Sequence, residues 1–480
     1  MTVPKEYFED HITKGVARGT LRHLFRNRFC IVNLPVGFGK TDIAVMTAMG
    51  LAKMNHGELQ VAVIAPKSKR LDKSFDDALD SASKYYHVKL TRLPVNKQAV
   101  GTFAGLTRMS KKPKEWRAFA QAIIDKPTMF ILDETHMTLR DSTSKTSKHF
   151  KALLDAVDRA GGFAKVTGLT ATPFDKSILD GIGYLVFNGN YNSRTAFYRE
   201  EVPTYKNAYA RGLTQRELEA QIVDNKYIIH KEMFTDIRKV VRQLREIIYS
   251  PDAPRDFHIP KNKLLDYPVS LANNTLADLK LYDKMRRDKA FGSPTEARVT
   301  ILNAMATDPN LLQQVVRLAK KDQTKLPLIF YQYDVQLEAL KNAFAKFGHP
   351  IYQINGHSHS YFDGKIDPKG VVFIQYTSGA TAFEAKLSNT SIYYVLPDSA
   401  INFSQSLGRN ARRGQELDIV DNYIIMPMNE KQEMPFDFYK QYNRIKNKTV
   451  QNQRFLKAFI TPWGMYEKPS TKKKVKPDVS

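Results

Sequence analysis

Two series of short apolar runs, each separated by longer helix-like stretches, constrain the fold of this chain most strongly. The first series is RFCIVNLP, LQVAVIAP, TMFILDE and AKVTGLTATP, and the second is LPLIFYQY, PIYQING, GVVFIQYTS, TSIYYVLP and VDNYIIMPM. Runs this short, rich in β-branched residues and followed by loop signals, are typical of buried strands in parallel sheets. The sequence therefore predicts two α/β lobes, each a parallel sheet flanked by helices.

The spacing of the runs predicts four segments along the 480 residues, a length that suits two or three domains of ~150 residues. The first lobe covers 1–195, a charged helical insertion or linker covers 196–260, and the second lobe covers 261–460. The remaining segment, 461–480, lacks an apolar period and is predicted to be a disordered basic tail. Its lysines could contact phosphates or serve as a nuclear address, or the tail could be a solvated end.

The charge balance favours a polyanionic partner such as nucleic acid, because 73 basic and 49 acidic residues give a net charge of +24. Acidic membranes would also be attracted, but no amphipathic anchor, membrane-spanning run or signal peptide stands out. We therefore expect a soluble intracellular protein. The single cysteine, Cys30, excludes an internal disulfide and cysteine-based metal frameworks, and its apolar neighbours predict a buried thiol.

The stretch NLPVGFGKT joins an apolar run to a helix-like pattern. In such a loop, glycines let backbone amides turn around a phosphate, Lys40 would bridge the β- and γ-phosphates, and Thr41 would hold magnesium. The full pattern has a further glycine where this chain has Leu34, and a plain turn before a helix is the alternative. The residues predicted to contact the nucleotide here are Pro35, Val36, Gly37, Phe38, Gly39, Lys40 and Thr41.

The run TMFILDETH ends in an acidic pair, Asp133 and Glu134. Asp133 would order magnesium through water and contact the nucleotide, and Glu134 would polarise the attacking water, so both join Thr41 in the predicted metal site. His136 could instead be a plain surface histidine. An Asp-Glu pair alone is common, but one strand-helix series after GFGKT it indicates a site that hydrolyses ATP with Mg²⁺.

Four ordered boxes carry a resemblance to helicase superfamily two that spans nearly the whole chain: GFGKT, LDETH, GLTATP and QSLGRNARRGQ. Within it the chain most resembles the SWI/SNF-type ATPases, particularly the compact forms encoded by phages. The stretches that carry this closer resemblance are DETHMTLRDSTSKTSKHFKALLD, VVFIQYTSGATAFEAKLSNTSIYYVLP, FHIPKNKLLDYPVSLANNTLADLKLYDKM and the ending RxGQ. The 26 steps from Gly379 to Gln405 also suit that family. The resemblance implies two tandem RecA-like lobes that hydrolyse ATP between them.

Arg409 and Arg412, three residues apart, are predicted to lie on one side of a helix and to reach a γ-phosphate held by the other lobe. Guanidinium donors stabilise the charge that spreads onto a transferred phosphoryl group better than lysine does. The alternative is a basic helix that faces DNA, a role that suits Arg413. The resemblance adds Gln405 to the catalytic set.

The resemblance also implies residues that couple the ATP site to nucleic acid, and residues that grip phosphates independently of base sequence. The coupling residues, at the lobe interface, are Thr170, Ala171 and Thr172. The nucleic-acid contacts lie in loops after strands and are Lys67, Ser68, Gly101, Thr102, Gly356, His357, Thr377 and Ser378. The chain departs from the family at Ile12, where a glutamine commonly reads adenine, and at Ala382 and Glu384, which replace glycine and asparagine.

Together these features predict a monomeric, ATP-dependent DNA helicase or translocase that moves along or remodels branched DNA in replication, recombination or repair. It would act in the cytoplasm of a prokaryotic or phage-infected cell, or in the nucleus of a eukaryotic host. An RNA helicase is the nearest alternative, because the core boxes do not choose between sugars. A nucleic-acid-binding scaffold with a decayed ATPase is the alternative from another class, and the intact Lys40, Asp133 and Glu134 argue against it.

Overall fold

Two parallel β-sheets, each flanked by helices, form the protein, which confirms the predicted fold class. The computed structural model describes residues 5–66, 69, 73–174, 178–202, 235–251, 260–321, 326–376, 383, 385–412 and 415–447. The predicted tail therefore lies outside the described residues. Within the described ranges, no helix is both long and apolar enough to span a membrane.

The first sheet follows the order β3-β2-β5-β6-β1-β7, with β4 also paired to β2. Its strands pair in parallel and are β1 (Phe29–Asn33), β2 (Glu58–Ile64), β3 (Lys89–Arg92), β4 (Val100–Gly101), β5 (Thr128–Asp133), β6 (Ala164–Thr170) and β7 (Ile248–Tyr249). Strands β1, β5 and β6 are buried along nearly their whole length, as the continuous apolar runs predict.

Helices cover both faces of this sheet and enclose an apolar core on each side. They are α1 (Lys5–Glu9), α2 (His11–Arg26), α3 (Lys40–Met54), α4 (Ser74–Tyr86), α5 (Phe103–Met109), α6 (Pro113–Asp125), α7 (Lys145–Arg159), α8 (Ile182–Asn188), α9 (Arg194–Glu201) and α10 (Ile237–Ile247). Cys30 is fully buried on β1, as predicted, and burial raises the pKa of its thiol.

Residues 237–249 fall in the segment predicted as an insertion, yet they complete the first lobe. Strand β7 pairs with β1, with Ile248 opposite Ile31, and the side chain of Leu244 on α10 is fully buried in the same core. Residues 203–234 and 252–259 of the predicted insertion lie outside the described residues. The boundaries between the four segments stay predictions.

The second sheet follows the order β10-β11-β9-β12-β13-β8 and is also parallel. Its strands are β8 (Lys261–Ser270), β9 (Leu328–Tyr331), β10 (Ile351–Ile354), β11 (Val371–Gln375), β12 (Thr390–Tyr393) and β13 (Ile419–Met428). The helices of this lobe are α11 (Asn273–Arg287), α12 (Pro294–Ala306), α13 (Pro309–Lys321), α14 (Asp334–Ala343) and α15 (Ala400–Ser406).

Strand register places the predicted site residues at one edge of the first sheet. Strand β6 lies between β1 and β5, with Thr170 opposite Asn33 and Leu169 opposite Asp133. Because parallel strands end at the same edge, the loop after β1, the acidic pair after β5 and Thr170 come together there. This is the edge at which open α/β sheets bind ligands.

Candidate functional site

The loop between β1 and α3, residues 34–39, has the backbone that its glycines predict. Gly37 and Gly39 have φ angles of +84° and +81°, left-handed values that residues with a side chain seldom adopt. Leu34, which stands in place of the pattern's first glycine, is 1% exposed, and its N–H donates to the Thr170 carbonyl at 3.2 Å. The departure at Leu34 therefore anchors the loop in the core and leaves Gly37 and Gly39 to form the turn.

Lys40 is the first residue of α3 and lies across the loop. Its Nζ donates to the carbonyls of Leu34 and Pro35, at 3.2 and 3.1 Å. Burial lowers the pKa of Lys40 to about 8, the carboxylates of Glu134 and Asp133 oppose this shift, and nearby guanidinium groups add to it. A bound polyphosphate would favour the charged amine, which fits the predicted role of Lys40 as a phosphate ligand.

Nucleotide binding is therefore expected to take up a proton near pH 8.5. In the free protein Lys40 is substantially neutral above its pKa of about 8, and phosphate oxygens would raise that pKa again. Nucleotide affinity should fall by up to about tenfold per pH unit above this value. Calorimetry in buffers of different ionisation enthalpy would measure the uptake. Lys40→Arg, which stays charged, should bind without it, and equal uptake by that variant would contradict the assignment.

The acidic pair follows β5 directly. Asp133 and Glu134 are 6% and 7% exposed, and Glu134 has φ of +51°, a conformation that is strained for a residue with a side chain. His136 is 6% exposed, so it is not a surface histidine. Its Nδ1 lies 3.3 Å from Glu134 Oε2 and 2.9 Å from Thr170 Oγ1. The Thr172 N–H also donates to Thr170 Oγ1, at 3.0 Å, so a chain of contacts joins Glu134 to the 170–172 segment.

The second lobe reaches this network through Gln405 on α15. The Gln405 side chain is fully buried, and its Nε2 donates to Glu134 Oε2 at 3.2 Å. Glu134 therefore receives one polar contact from His136 in its own lobe and one from the other lobe. The predicted catalytic residues Glu134 and Gln405 are brought together.

Arg409 and Arg412 do not lie on a helix, so that part of the prediction is wrong. Helix α15 ends at Ser406, and both arginines belong to the turn that follows. Each Nε donates to a carbonyl four residues back, Arg409 to Gln405 at 3.0 Å and Arg412 to Gly408 at 2.6 Å. The two arginines are 1% and 8% exposed, so these bonds fix both guanidinium stems inside the protein.

This turn, residues 408–412, packs directly on the loop of the first lobe. A Cβ placed on Gly408 would lie 2.2 Å from Val36 Cγ1. A Cβ placed on Gly37 would lie 2.8 Å from the Ala411 carbonyl and 3.0 Å from Arg412 Cα. Glycine at these two positions lets the lobes approach, and sequence reasoning did not single out Gly408. The structure thus gathers the predicted catalytic set at one interface: Lys40, Glu134, Gln405, Arg409 and Arg412.

The donor set fits a magnesium ion that takes most of its ligands from phosphate and water. Among the described residues, no group of three or more His, Cys, Asp or Glu side chains could hold a metal ion. Thr41 follows Lys40 on α3 and is partly buried. Asp133 is the last residue of β5 and lies at the same edge of the sheet. A hydroxyl and one or two carboxylates are the protein ligands that Mg²⁺ uses when it binds with a nucleotide.

The structure describes only some of the residues predicted to contact nucleic acid. Gly101 is buried, since a Cβ there would lie 2.5 Å from Val95 Cβ, and Thr102 Oγ1 accepts from the Gly105 N–H at 3.0 Å to cap α5. Gly356 and His357 are exposed in the loop after β10. Four predicted contacts lie outside the described residues: Lys67, Ser68, Thr377 and Ser378. Of the departures from the family, Ile12 packs in the core on α2, and Ala382 and Glu384 lie outside the described residues.

Comparison with known proteins agrees with the geometry of the first lobe. Residues 16–180 match the model of the DEAD/DEAH box helicase family. The first lobe is therefore similar to the DEAD/DEAH box helicase domain over this range. The matched range runs from α2 past Thr172, so it contains the glycine loop, the acidic pair and the 170–172 segment. No curated protein sequence matches the chain significantly.

A solved structure, Dbp5 of S. cerevisiae bound to RNA and ADP BeF3, resembles the chain with a TM-score of 0.48 and 12% sequence identity. The match covers 92% of this chain and 91% of that one. The match of residues 16–180 to the DEAD/DEAH box helicase model supports the predicted resemblance to superfamily two for the first lobe. The closer resemblance to SWI/SNF-type and phage-encoded ATPases stays a prediction.

Proposed function

We propose that this protein is an ATP-dependent DNA helicase or translocase of superfamily two. One observation carries the proposal: Gln405 of the second lobe contacts Glu134 of the first while the 408–412 turn packs on the glycine loop. A site built from two lobes can change its occupancy and its lobe spacing together, which is how ATP turnover drives movement in such motors. A nucleic-acid-binding scaffold that had lost its ATPase activity would not need these contacts between the lobes.

When bound, ATP with Mg²⁺ supplies the phosphoryl chemistry. The loop amides at Gly37 and Gly39 and the Lys40 amine would hold the phosphates, and Thr41 and Asp133 would hold the cation. Glu134 would orient water and accept its proton, with its carboxylate fixed between His136 and Gln405. Arg409 and Arg412 would stabilise charge on the transferred group.

A basic surface of the first lobe supports nucleic acid as the partner. The α5 and α7 helices meet through a Ser110 Oγ to His149 Nδ1 contact of 2.7 Å and a contact between the hydroxyls of Thr107 and Thr146. Exposed cations flank these contacts without an ion pair to any described residue, and they are Arg108, Lys111, Lys145 and Lys148. Such a cluster suits a phosphate backbone.

The resemblance to SWI/SNF-type ATPases favours DNA over RNA as the substrate. We also propose that the protein acts as a monomer, in the cytoplasm or in a host nucleus. The test is the ATPase rate with linear duplex, single-stranded and branched DNA and with RNA. We expect branched DNA to stimulate turnover most. Strongest stimulation by RNA would instead make the protein an RNA helicase. Absence of ATPase activity with all four nucleic acids would overturn the proposed function.

A further inference from the structure

Phe383 lies between two segments of the second lobe that the proposed mechanism treats separately. Its side chain is fully buried. On one side the Tyr361 ring meets it edge-on, with ring centroids 5.6 Å apart and planes at 68°. On the other side Arg409 Cζ lies over the ring, 5.7 Å from its centroid. One aromatic ring thus contacts both Tyr361 and an arginine of the ATP site.

The backbone around Phe383 holds the same arginine. The Phe383 carbonyl accepts from Arg409 Nη1 at 3.0 Å, and the Ala385 N–H donates to the Arg409 carbonyl, also at 3.0 Å. The ring face and the carbonyl of one residue therefore both contribute to the orientation of this guanidinium. A cation–π contact that is buried away from water is strong enough to bias the orientation of Arg409.

Tyr361 connects this pair to an exposed loop. It lies in the short 3₁₀ turn Ser360–Phe362, a few residues after Gly356 and His357, which are exposed after β10. The turn is fastened to that strand, because the Gln353 N–H donates to Ser360 Oγ at 2.9 Å and the Asn355 N–H donates to the Ser358 carbonyl at 2.9 Å. A phosphate bound at His357 would therefore act on a loop that is tied to Tyr361.

We propose that Phe383 is a positioning residue that transmits nucleic-acid binding at the 356–361 loop to Arg409. The inference rests on the proposed function and names a means of regulating that same site. Displacement of Tyr361 shifts the edge of the Phe383 ring, and the ring and carbonyl of Phe383 together orient the guanidinium. Packed interiors respond to such displacements by changing between discrete arrangements, because they hold few voids.

The test is Phe383→Leu, which keeps the carbonyl and most of the apolar volume but removes the ring face. We expect the ratio of ATPase with branched DNA to basal ATPase to fall about fivefold relative to wild type. Phe344→Leu is the matched control, because Phe344 is 1% exposed in the core of the same lobe and packs on Phe347 and Phe373. It should lose similar stability and keep its stimulation.

A second variant, Tyr361→Leu, keeps the inference testable if Phe383→Leu does not fold. It should reduce stimulation similarly, and the double variant should lose no more than either single variant, since both act through one chain of contacts. Equal losses of stimulation in Phe383→Leu and Phe344→Leu, or additive losses of stimulation in the double variant, would overturn the proposal that Phe383 transmits nucleic-acid binding to Arg409. Failure of the proposed function would give a different result, because no nucleic acid would then stimulate the ATPase of the wild-type protein.

Discussion

Glu134→Gln is expected to lower ATP turnover about 10³-fold, the size of effect that loss of a general base produces. The substitution keeps the shape of the side chain and an oxygen that can accept from Gln405 Nε2, so the contact between the lobes should survive. What it removes is the charge that polarises water and accepts its proton. Steady-state ATPase rates at saturating ATP and nucleic acid would measure the loss.

The control for this prediction is Glu58→Gln, which neutralises an exposed glutamate paired with Lys89 on the first sheet. Its turnover should match that of the wild type. Affinity for branched DNA, measured at one salt concentration, should be retained in both variants, because Glu134 is buried and is not one of the exposed residues of the basic surface. Unchanged turnover in Glu134→Gln would remove Glu134 from the proposed mechanism.

Local sequence signals predicted much of the fold and part of the site. The nine apolar runs named as strands coincide with β1, β2, β5, β6 and β9 to β13, because burial on both faces leaves a continuous apolar signature. Gly37 and Gly39 have the left-handed φ angles that the loop needs. These features depend on a few adjacent residues, so the local sequence is sufficient to predict them.

Features that depend on distant residues could not be predicted this way. The pairing of β7 with β1 joins Ile248 to Ile31, and two residues of strand give no periodicity. Arg409 and Arg412 have helical spacing, yet the approach of Gly408 to Val36 and the arginine bonds to nearby carbonyls replace the helix with a turn. The burial of His136 between Glu134 and Thr170 likewise follows from the meeting of β5 and β6.

Gly408→Ala is expected to reduce stimulated turnover about 10²-fold while leaving nucleotide binding to the first lobe within a few-fold of wild type. The added methyl would lie 2.2 Å from Val36 Cγ1 and 2.5 Å from Val36 Cβ, too close for either to stay in place. The 408–412 turn must then retreat from the loop, and displacement of catalytic groups by about 1 Å can cost this much in rate. Single-turnover ATP hydrolysis would separate the chemical step from binding.

Two further variants show whether the contact itself is responsible. Gly364→Ala adds the same methyl in the same lobe, where nothing lies within 4 Å of the new atom, and it should behave as wild type. Val36→Gly removes the three atoms nearest to the methyl at 408, so it should restore part of the activity of Gly408→Ala. A Gly408→Ala protein with full activity would mean that hydrolysis does not require the turn to pack on the loop. Because Gln405 and both arginines lie on or beside that turn, such a result would separate the second lobe from the chemistry and leave ATP turnover to the first lobe alone.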